Sequence, residues 1–409
     1  MQVDTMRAID YWAGIPLTML ATALVKTWET LVPRRPRPPR NLLFIELSEM
    51  GSTILVDPVL RHLQREHGCN LHFLIFAKNK PSLDLLHPIP EENIFTIREN
   101  GLFPLAWDTL AFLAWCRRKR IDTVVDLELF SRFTALLTGL SGARRRVGFH
   151  AFTNEGLFRG DLLTHKVAYN PHQHITKNFF ALAHAATAQA PETPFAKIAV
   201  PDRALALGKA TVTDGQKTAM LARIRERAPG FDPARHRLVL FNANASDLLP
   251  LRRWPQEHYI TLARRVLAGH PRVFLLLTGA PGEREGLDAI PAAIGGVERE
   301  RIANFAGATS LTELPALYSL AAFMLSNDSG PAHFAAVTAM PTYVFFGPET
   351  PHLYGSLGPT TPIYAGLACS PCVSAANHRK TPCDDNVCLR TITPDQVYAI
   401  LQPALAALD

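Results

Sequence analysis

The amino-acid sequence predicts two doubly wound α/β domains, each built on a parallel sheet and joined near residue 200. Three observations predict them. A chain of 409 residues with 47% hydrophobic and 19% charged side chains has apolar material for more than one core. From Asn41 onward, short apolar runs alternate with amphipathic stretches, the pattern of strands and helices around a parallel sheet. A proline-punctuated stretch, residues 191–201, then interrupts the alternation, which restarts beyond it.

In the first domain the apolar runs place strands at residues 42–47, 72–76, 94–97, 123–127 and 146–149. Helices fall between them at 54–65, 105–118 and 132–140. The second domain carries strands at 238–241, 273–277, 322–325 and 342–346. The expected division is therefore 1–40 as a leading segment, 41–200 and 201–390 as the two domains, and 391–409 as a final helix.

The net charge of +6 is unevenly spread. Residues 1–40 hold six basic and three acidic side chains, half of the excess. The remainder is too dilute for a nucleic-acid partner. Residues 11–25 form an uncharged run, shorter than the roughly 18 to 20 apolar residues that a spanning helix needs. Trp12 and Trp28 bracket the run, and arginines at 34, 35, 37 and 40 follow it. That arrangement suits a helix lying on an anionic membrane surface. A signal peptide, with Ala21-Thr22-Ala23 as its cleavage site, a short membrane anchor and a core helix are the competing readings.

In open parallel sheets ligands bind beyond the carboxyl ends of strands, so chemistry is sought in the loops there. The loop Ser48-Glu49-Met50-Gly51-Ser52-Thr53 presents Glu49 and Ser52, against a plain strand-to-helix turn. The loop Ser326-Asn327-Asp328-Ser329-Gly330-Pro331-Ala332-His333 reads as an anion cradle at a helix start, with Ser329 as cap and His333 as an added donor. Gly347, in the turn after the next strand, stands on the same sheet edge. A third loop, residues 242–255, offers Asn244 and Ser246 as short polar groups and Arg252 and Arg253 as phosphate donors, against two solvated arginines.

These residues resemble glycosyltransferase family 9, the heptosyltransferase family of lipopolysaccharide synthesis. Asp328-Ser329-Gly330-Pro331-Ala332-His333 followed by Phe346-Gly347-Pro348 is similar to the family's donor-site motif, and Arg252-Arg253-Trp254-Pro255 to its basic residue before Trp-Pro. Thr278-Gly279-Ala280-Pro281-Gly282-Glu283 is similar to the loop whose acidic residue, here Glu283, contacts the nucleotide ribose. Leu47-Ser48-Glu49-Met50-Gly51-Ser52 is similar to the first loop, and Asp126 to a family strand end. The resemblance covers residues 41–400.

It implies a GT-B architecture of two facing Rossmann-like domains, acceptor on the first and nucleotide-sugar on the second, with the final helix returning to the first domain. It also implies an inverting transfer of a sugar, heptose among the candidates, from a nucleotide diphosphate to a lipid-linked saccharide at the cytoplasmic face of the inner membrane. No metal is required at the diphosphate, and the sequence contains no Asp-X-Asp. The family usually has an aspartate where this chain has Ser52. A serine at neutral pH is no base unaided, so Glu49 is expected to take that role, with Asp57 and Asp126 as alternatives. The other readings are a noncatalytic sugar-nucleotide-binding or scaffold protein and a sugar-nucleotide epimerase.

Cys369, Cys372, Cys383 and Cys388 have the spacing C-x2-C-x10-C-x4-C. They suit a structural zinc with His378 as a spare ligand, packed reduced thiols, or disulfides. Arg144-Arg145-Arg146 reads as a turn entering a strand or an acceptor-side anion site. His172 and His174 read as helix-start residues or acceptor contacts.

Overall fold

The computed structural model describes residues 3–32, 38–129, 131–153, 156–245, 249–374 and 380–409. The chain divides into two compact units, Met1–Ala206 and Leu207–Asp409. The first holds six parallel strands: β1 (Asn41–Ile45), β2 (Asn70–Phe76), β3 (Ile94–Ile97), β4 (Thr123–Asp126), β5 (Arg145–His150) and β6 (His165–Ala168). Their order across the sheet is β3-β2-β1-β4-β5-β6. The second holds β7 (Arg237–Asn242), β8 (Val273–Leu277), β9 (Ile302–Asn304), β10 (Ala321–Asn327), β11 (Thr342–Phe346) and β12 (Thr360–Tyr364) in the order β12-β11-β10-β7-β8-β9. Both are the 3-2-1-4-5-6 order of a doubly wound nucleotide-binding sheet. Successive crossovers run away from each other at β1/β4 and at β7/β10, and each divergence opens a crevice at the carboxyl ends of the two strands.

The central strands are legible as apolar runs because both of their faces are covered: every residue of β4 and β8 is buried. Three strands, β6, β9 and β12, have no such run. They lie at sheet edges and are only partly buried, and β12 accommodates Pro362 because an edge strand need not donate on its outer side. The helix expected at 54–65 is two helices, Met50–Leu55 and Asp57–His67. Pro58 has no N–H to continue the first, so the chain breaks just before it and restarts with proline in the first turn.

The leading helices are not a separate segment. The helices Val3–Trp12 and Gly14–Leu31 belong to the first unit, and the second of them packs on the helix Arg132–Leu140. The contact face is made of small residues: Gly14, Thr18 and Ala21 are buried, and a Cβ at Gly14 would fall 2.8 Å from the Arg132 side chain. Charged groups lock the interface. Asp10 accepts the Phe133 N–H at 2.9 Å and pairs with buried Arg132 at 3.4 Å. Glu29 pairs at 2.7 Å with Arg146, whose side chain is 3% exposed. The expectation of an independent leading segment is thus corrected, because two buried guanidinium groups find carboxylate partners there. No single described helix is long and apolar enough to cross a membrane; the pair 5–12 and 14–31 meets the composition only together, across a 43° bend.

The final helix, Pro394–Ala406, packs within the second unit rather than on the first domain as the resemblance implied. Val397, Leu401 and Leu405, spaced by four, join Leu262 and Val266 in the core that lies against β7 and β8. Trp254 Nε1 donates to the Ile392 carbonyl at 2.9 Å, and His270 Nδ1 meets Asp409 at 2.7 Å. These contacts hold both ends of the helix on the unit that carries its preceding chain.

Loss of the Glu29 carboxylate leaves a charged donor of Arg146 buried. Glu29→Ala is therefore expected to lower stability by about 2 kcal/mol. Urea unfolding should show a lower midpoint with an unchanged slope. An unaltered midpoint would mean that the leading helices contribute nothing to the body.

Candidate active site

In the first unit, β1 runs out at Ile45 beside the end of β4, and the chain crosses the crevice through Glu46, Leu47, Ser48 and Glu49. Glu46 is 3% exposed, and its Oε1 accepts the N–H of Glu49 at 3.2 Å. Glu49 precedes the helix Met50–Leu55, and Ser52, 5% exposed in that helix, donates its hydroxyl to Glu49 Oε2 at 3.1 Å. From β4, Glu128 Oε1 accepts the N–H groups of Leu47 at 2.9 Å and Ser48 at 3.1 Å, and the Ser48 hydroxyl at 3.1 Å. Three carboxylates thus meet at one turn.

Asp126 lies beneath them and is fully buried. Its Oδ1 accepts the Glu128 N–H, and its Oδ2 accepts from Thr134 Oγ1 and from Arg159. Both Asp126 oxygens are thus engaged within the fold. Asp57 is equally buried and is held by Arg61 at 2.9 Å. Glu49 is half-buried at the mouth of the crevice, with the Ser52 hydroxyl directed at its carboxylate.

Burial pushes the Glu46 carboxyl well above the ordinary value of 4.5, and the charges of Glu128 and Glu49 push it the same way. Burial also raises Glu128, to about 7, helped by the charge of Asp126. Glu46 and Glu128 thus hold their protons to higher pH than an exposed carboxyl would.

In the second unit the corresponding crevice lies between the ends of β7 and β10. Asn327, fully buried, organises it: its Oδ1 accepts from Trp254 N at 2.9 Å and Tyr259 OH at 3.3 Å, and its Nδ2 donates to the Asn244 carbonyl at 3.2 Å. Trp254 in turn stacks on Phe345, ring centroids 4.5 Å apart. This anchors the Pro250–Arg252 turn at the crevice, where Arg252 Nη1 lies 3.8 Å from Asp328 Oδ2. Arg252 Nε is buried with no hydrogen-bond partner among the described residues. Arg253 has a different role, for its Nε and Nη2 grip the Ala245 carbonyl.

The turn 328–333 runs into the helix Gly330–Ala335, with His333 buried in its first turn. Ser329 does not cap that helix; its hydroxyl turns back to the Asn327 carbonyl at 3.2 Å. At Gly330 a Cβ would come within 3.1 Å of the Phe334 ring. Gly347 is tightly packed, since a Cβ there would lie 2.9 Å from both Cys388 Sγ and Leu389. Glu283 stands beyond β8, where its Oε2 accepts the Ala280 N–H at 2.7 Å and so shapes its own loop. Ser246 lies outside the described residues.

All six cysteines are free thiols. The zinc expected from the cysteine spacing has no assembled site: no set of three or more His, Cys, Asp or Glu that could hold a metal occurs among the described residues. Cys388 is fixed in the core against Gly347, whereas Cys369 is exposed, and His378 lies outside the described residues. The three-arginine run also has structural duties: Arg145 binds the carbonyls of Ala186 and Ala188, and Arg146 those of Leu162 and Ala143. His174 caps its helix by accepting the Thr176 N–H.

Four residues escaped sequence reasoning: Glu46, Glu128, Arg159 and Asn327. Glu46 had a signal, a charge inside an otherwise apolar strand run. Glu128 follows a strand end and Asn327 is one, but Arg159 comes from an irregular stretch that only folding brings to Asp126.

Glu46→Gln keeps an acceptor for Glu49 and removes the ionisable group. A carboxyl with a raised folded pKa binds its proton more tightly in the folded state, so its contribution to stability falls as pH rises above 4.5. The variant's melting temperature is expected to exceed that of the wild type by a margin that widens as pH rises above that value. A margin that does not change with pH would mean that Glu46 titrates normally.

Residues 113–381 match the model of glycosyltransferase family 9 (heptosyltransferase). Lipopolysaccharide heptosyltransferase 2 of Salmonella typhimurium is 27% identical over 140 residues, 34% of this chain and 38% of that protein. The aligned stretch therefore spans well under half the length of that relative. Among solved structures, the ADP-heptose lipopolysaccharide heptosyltransferase II of E. coli matches with a TM-score of 0.65 at 20% identity, over 90% of this chain and 99% of that one. An E. coli heptosyltransferase solved with ADP matches with a TM-score of 0.59 at 17% identity, over 89% and 99%. At such identities the structures attest the fold, and the family follows from the sequence model, which covers well over half of the chain: this protein belongs to glycosyltransferase family 9.

Proposed function

We propose that the chain is an inverting glycosyltransferase that moves a heptose or related sugar from a nucleoside diphosphate to a lipopolysaccharide-type acceptor. The observation that carries this is the placement of complementary chemistry at the two switch points: an oriented carboxylate in the first unit, and in the second a partly exposed arginine whose buried Nε has no partner among the described residues. The heptosyltransferase family and its lipopolysaccharide heptosyltransferase relatives suggest the sugar and the acceptor class.

In this reading Glu49 takes the proton of the acceptor hydroxyl as its oxygen attacks the anomeric carbon. Attack comes from the face opposite the diphosphate, the bond from that carbon to the phosphate oxygen breaks, and the configuration inverts. Arg252 and the N–H groups of Ser329 and Gly330 meet the charge on the leaving diphosphate. Ser52 assists by fixing Glu49 through Oε2. The serine thus does not argue against catalysis, since the carboxylate it orients replaces the usual aspartate.

ADP is expected to raise the melting temperature of the wild type and of Glu49→Gln alike, and to leave Arg252→Ala unmoved. In a transfer assay Glu49→Gln should lose about 100 to 10,000-fold in kcat with donor affinity retained. Full turnover in Glu49→Gln would move the base elsewhere. Donor binding without transfer by the wild type would return the noncatalytic reading.

The same proposal places the protein peripherally on the cytoplasmic face of the inner membrane. Support comes from the helix Gly14–Leu31, which turns Leu17, Leu20, Leu24, Trp28 and Leu31 outward at intervals of three or four while its small residues face the body. Phe103, Trp107 and Leu110 are exposed in the same way on the helix Leu102–Arg118. Because the leading helices belong to the fold, point changes are the right probe. Leu20→Ser with Leu24→Ser is expected to reduce cosedimentation with phosphatidylglycerol vesicles at an unchanged melting temperature. Equal sedimentation would remove the membrane from the proposal.

A further inference from the structure

We propose that Glu128 is a positioning residue for the acceptor-side base, holding the turn that carries Glu49 and standing beside it as a second anion. The inference rests on Glu49 being the base. Its starting point is connectivity. Glu128 follows β4 and Glu49 follows β1, so neither constrains the other along the chain. What joins them is a series of hydrogen bonds across the switch point. Arg159 and Thr134 fix Asp126, Asp126 Oδ1 accepts the Glu128 N–H at 3.1 Å, and Glu128 Oε1 then gathers Leu47 N, Ser48 N and Ser48 Oγ. Glu49 is the next residue. Its own N–H is held by Glu46 and its Oε2 by Ser52, so the base is restrained from three elements at once.

An apolar turn with a neutral acceptor would rigidify the loop as well; a carboxylate does more. The groups that face Glu128 are Glu46 from β1, Glu49 from the turn and Asp126 from its own strand, and Arg159 offsets only the last of these by direct pairing. A carboxylate set among anions holds a proton more strongly than one in water. Burial raises Glu128 to about 7, with the charges of Asp126 and Glu49 acting the same way, so the charge that stands beside Glu49 changes near neutral pH. One side chain thus both holds the turn and places a titratable charge next to Glu49.

Glu128→Gln separates the two effects, because the amide oxygen can still accept from Leu47 and Ser48 while the charge is gone. In steady-state assays across pH 5 to 9, the expected result is an unchanged KM for the nucleotide-sugar, a kcat lowered about three- to tenfold on the plateau, and an acid limb displaced to lower pH. Glu128→Asp, which keeps the charge and shortens the reach, should retain the position of the limb and lose kcat. A Glu128→Gln profile superimposable on that of the wild type, with only the melting temperature altered, would reduce Glu128 to a structural clamp and overturn the proposal. Glu49→Gln is run alongside. If it keeps full turnover while Glu128→Gln has none, Glu128 is itself the base and the positioning role is wrong; if neither loses turnover, the assignment of Glu49 fails independently.

Discussion

Divergence of the crossovers at β1/β4 and β7/β10 is the constraint on which both candidate sites depend. Strands 1 and 4 of each sheet are hydrogen-bonded neighbours, yet the chains leaving them turn to opposite sides. The ends of these strands therefore lack a helix directly above them, and polar groups can reach solvent from an otherwise apolar layer. Glu46, Glu49 and Glu128 fill that opening in the first unit, and Asn327, Arg252 and Asp328 in the second. Two crevices of the same origin carry different chemistry, one lined by three carboxylates, the other by an arginine set beside a carboxylate and a buried asparagine.

Polar groups in each crevice are held by an inner layer rather than by solvent. Asn327 uses its amide to tie β10 to the Trp254 corner and to the loop after β7, which is why Arg252 can be stationed at the rim while Arg253, one residue on, is committed to the Ala245 carbonyl. In the first unit Asp126 has the corresponding role, with Arg159 as its counter-charge. Adjacent residues of similar type thus divide between structure and function according to which way the turn directs them. The same division separates Glu49 from Asp126 and explains why a chain with serine in place of the usual aspartate still presents an oriented carboxylate.

The leading helices show the principle applied to a surface. Their small residues allow close approach to the helix Arg132–Leu140, and the carboxylates of Asp10 and Glu29 neutralise arginines that the body buries. One face is thereby committed to the fold, and the large apolar side chains are left on the other.

The sequence by itself determined the two α/β domains, the central strands, the loops in which function is to be sought and the family, because buried strands must be apolar throughout and motif residues are local in the chain. It also singled out Glu49 and Arg252. The edge strands β6, β9 and β12 were not legible, since partial burial imposes no continuous apolar run. Nor was the docking of the leading helices, the place of the final helix, or the use of Gly347 for packing, each of which is decided by contacts between residues far apart in the chain. How deeply each carboxylate lies was likewise a tertiary decision: Asp126, Asp57 and Glu49 are alike in sequence, and only the packing of neighbouring elements buries the first two fully and leaves Glu49 half-buried.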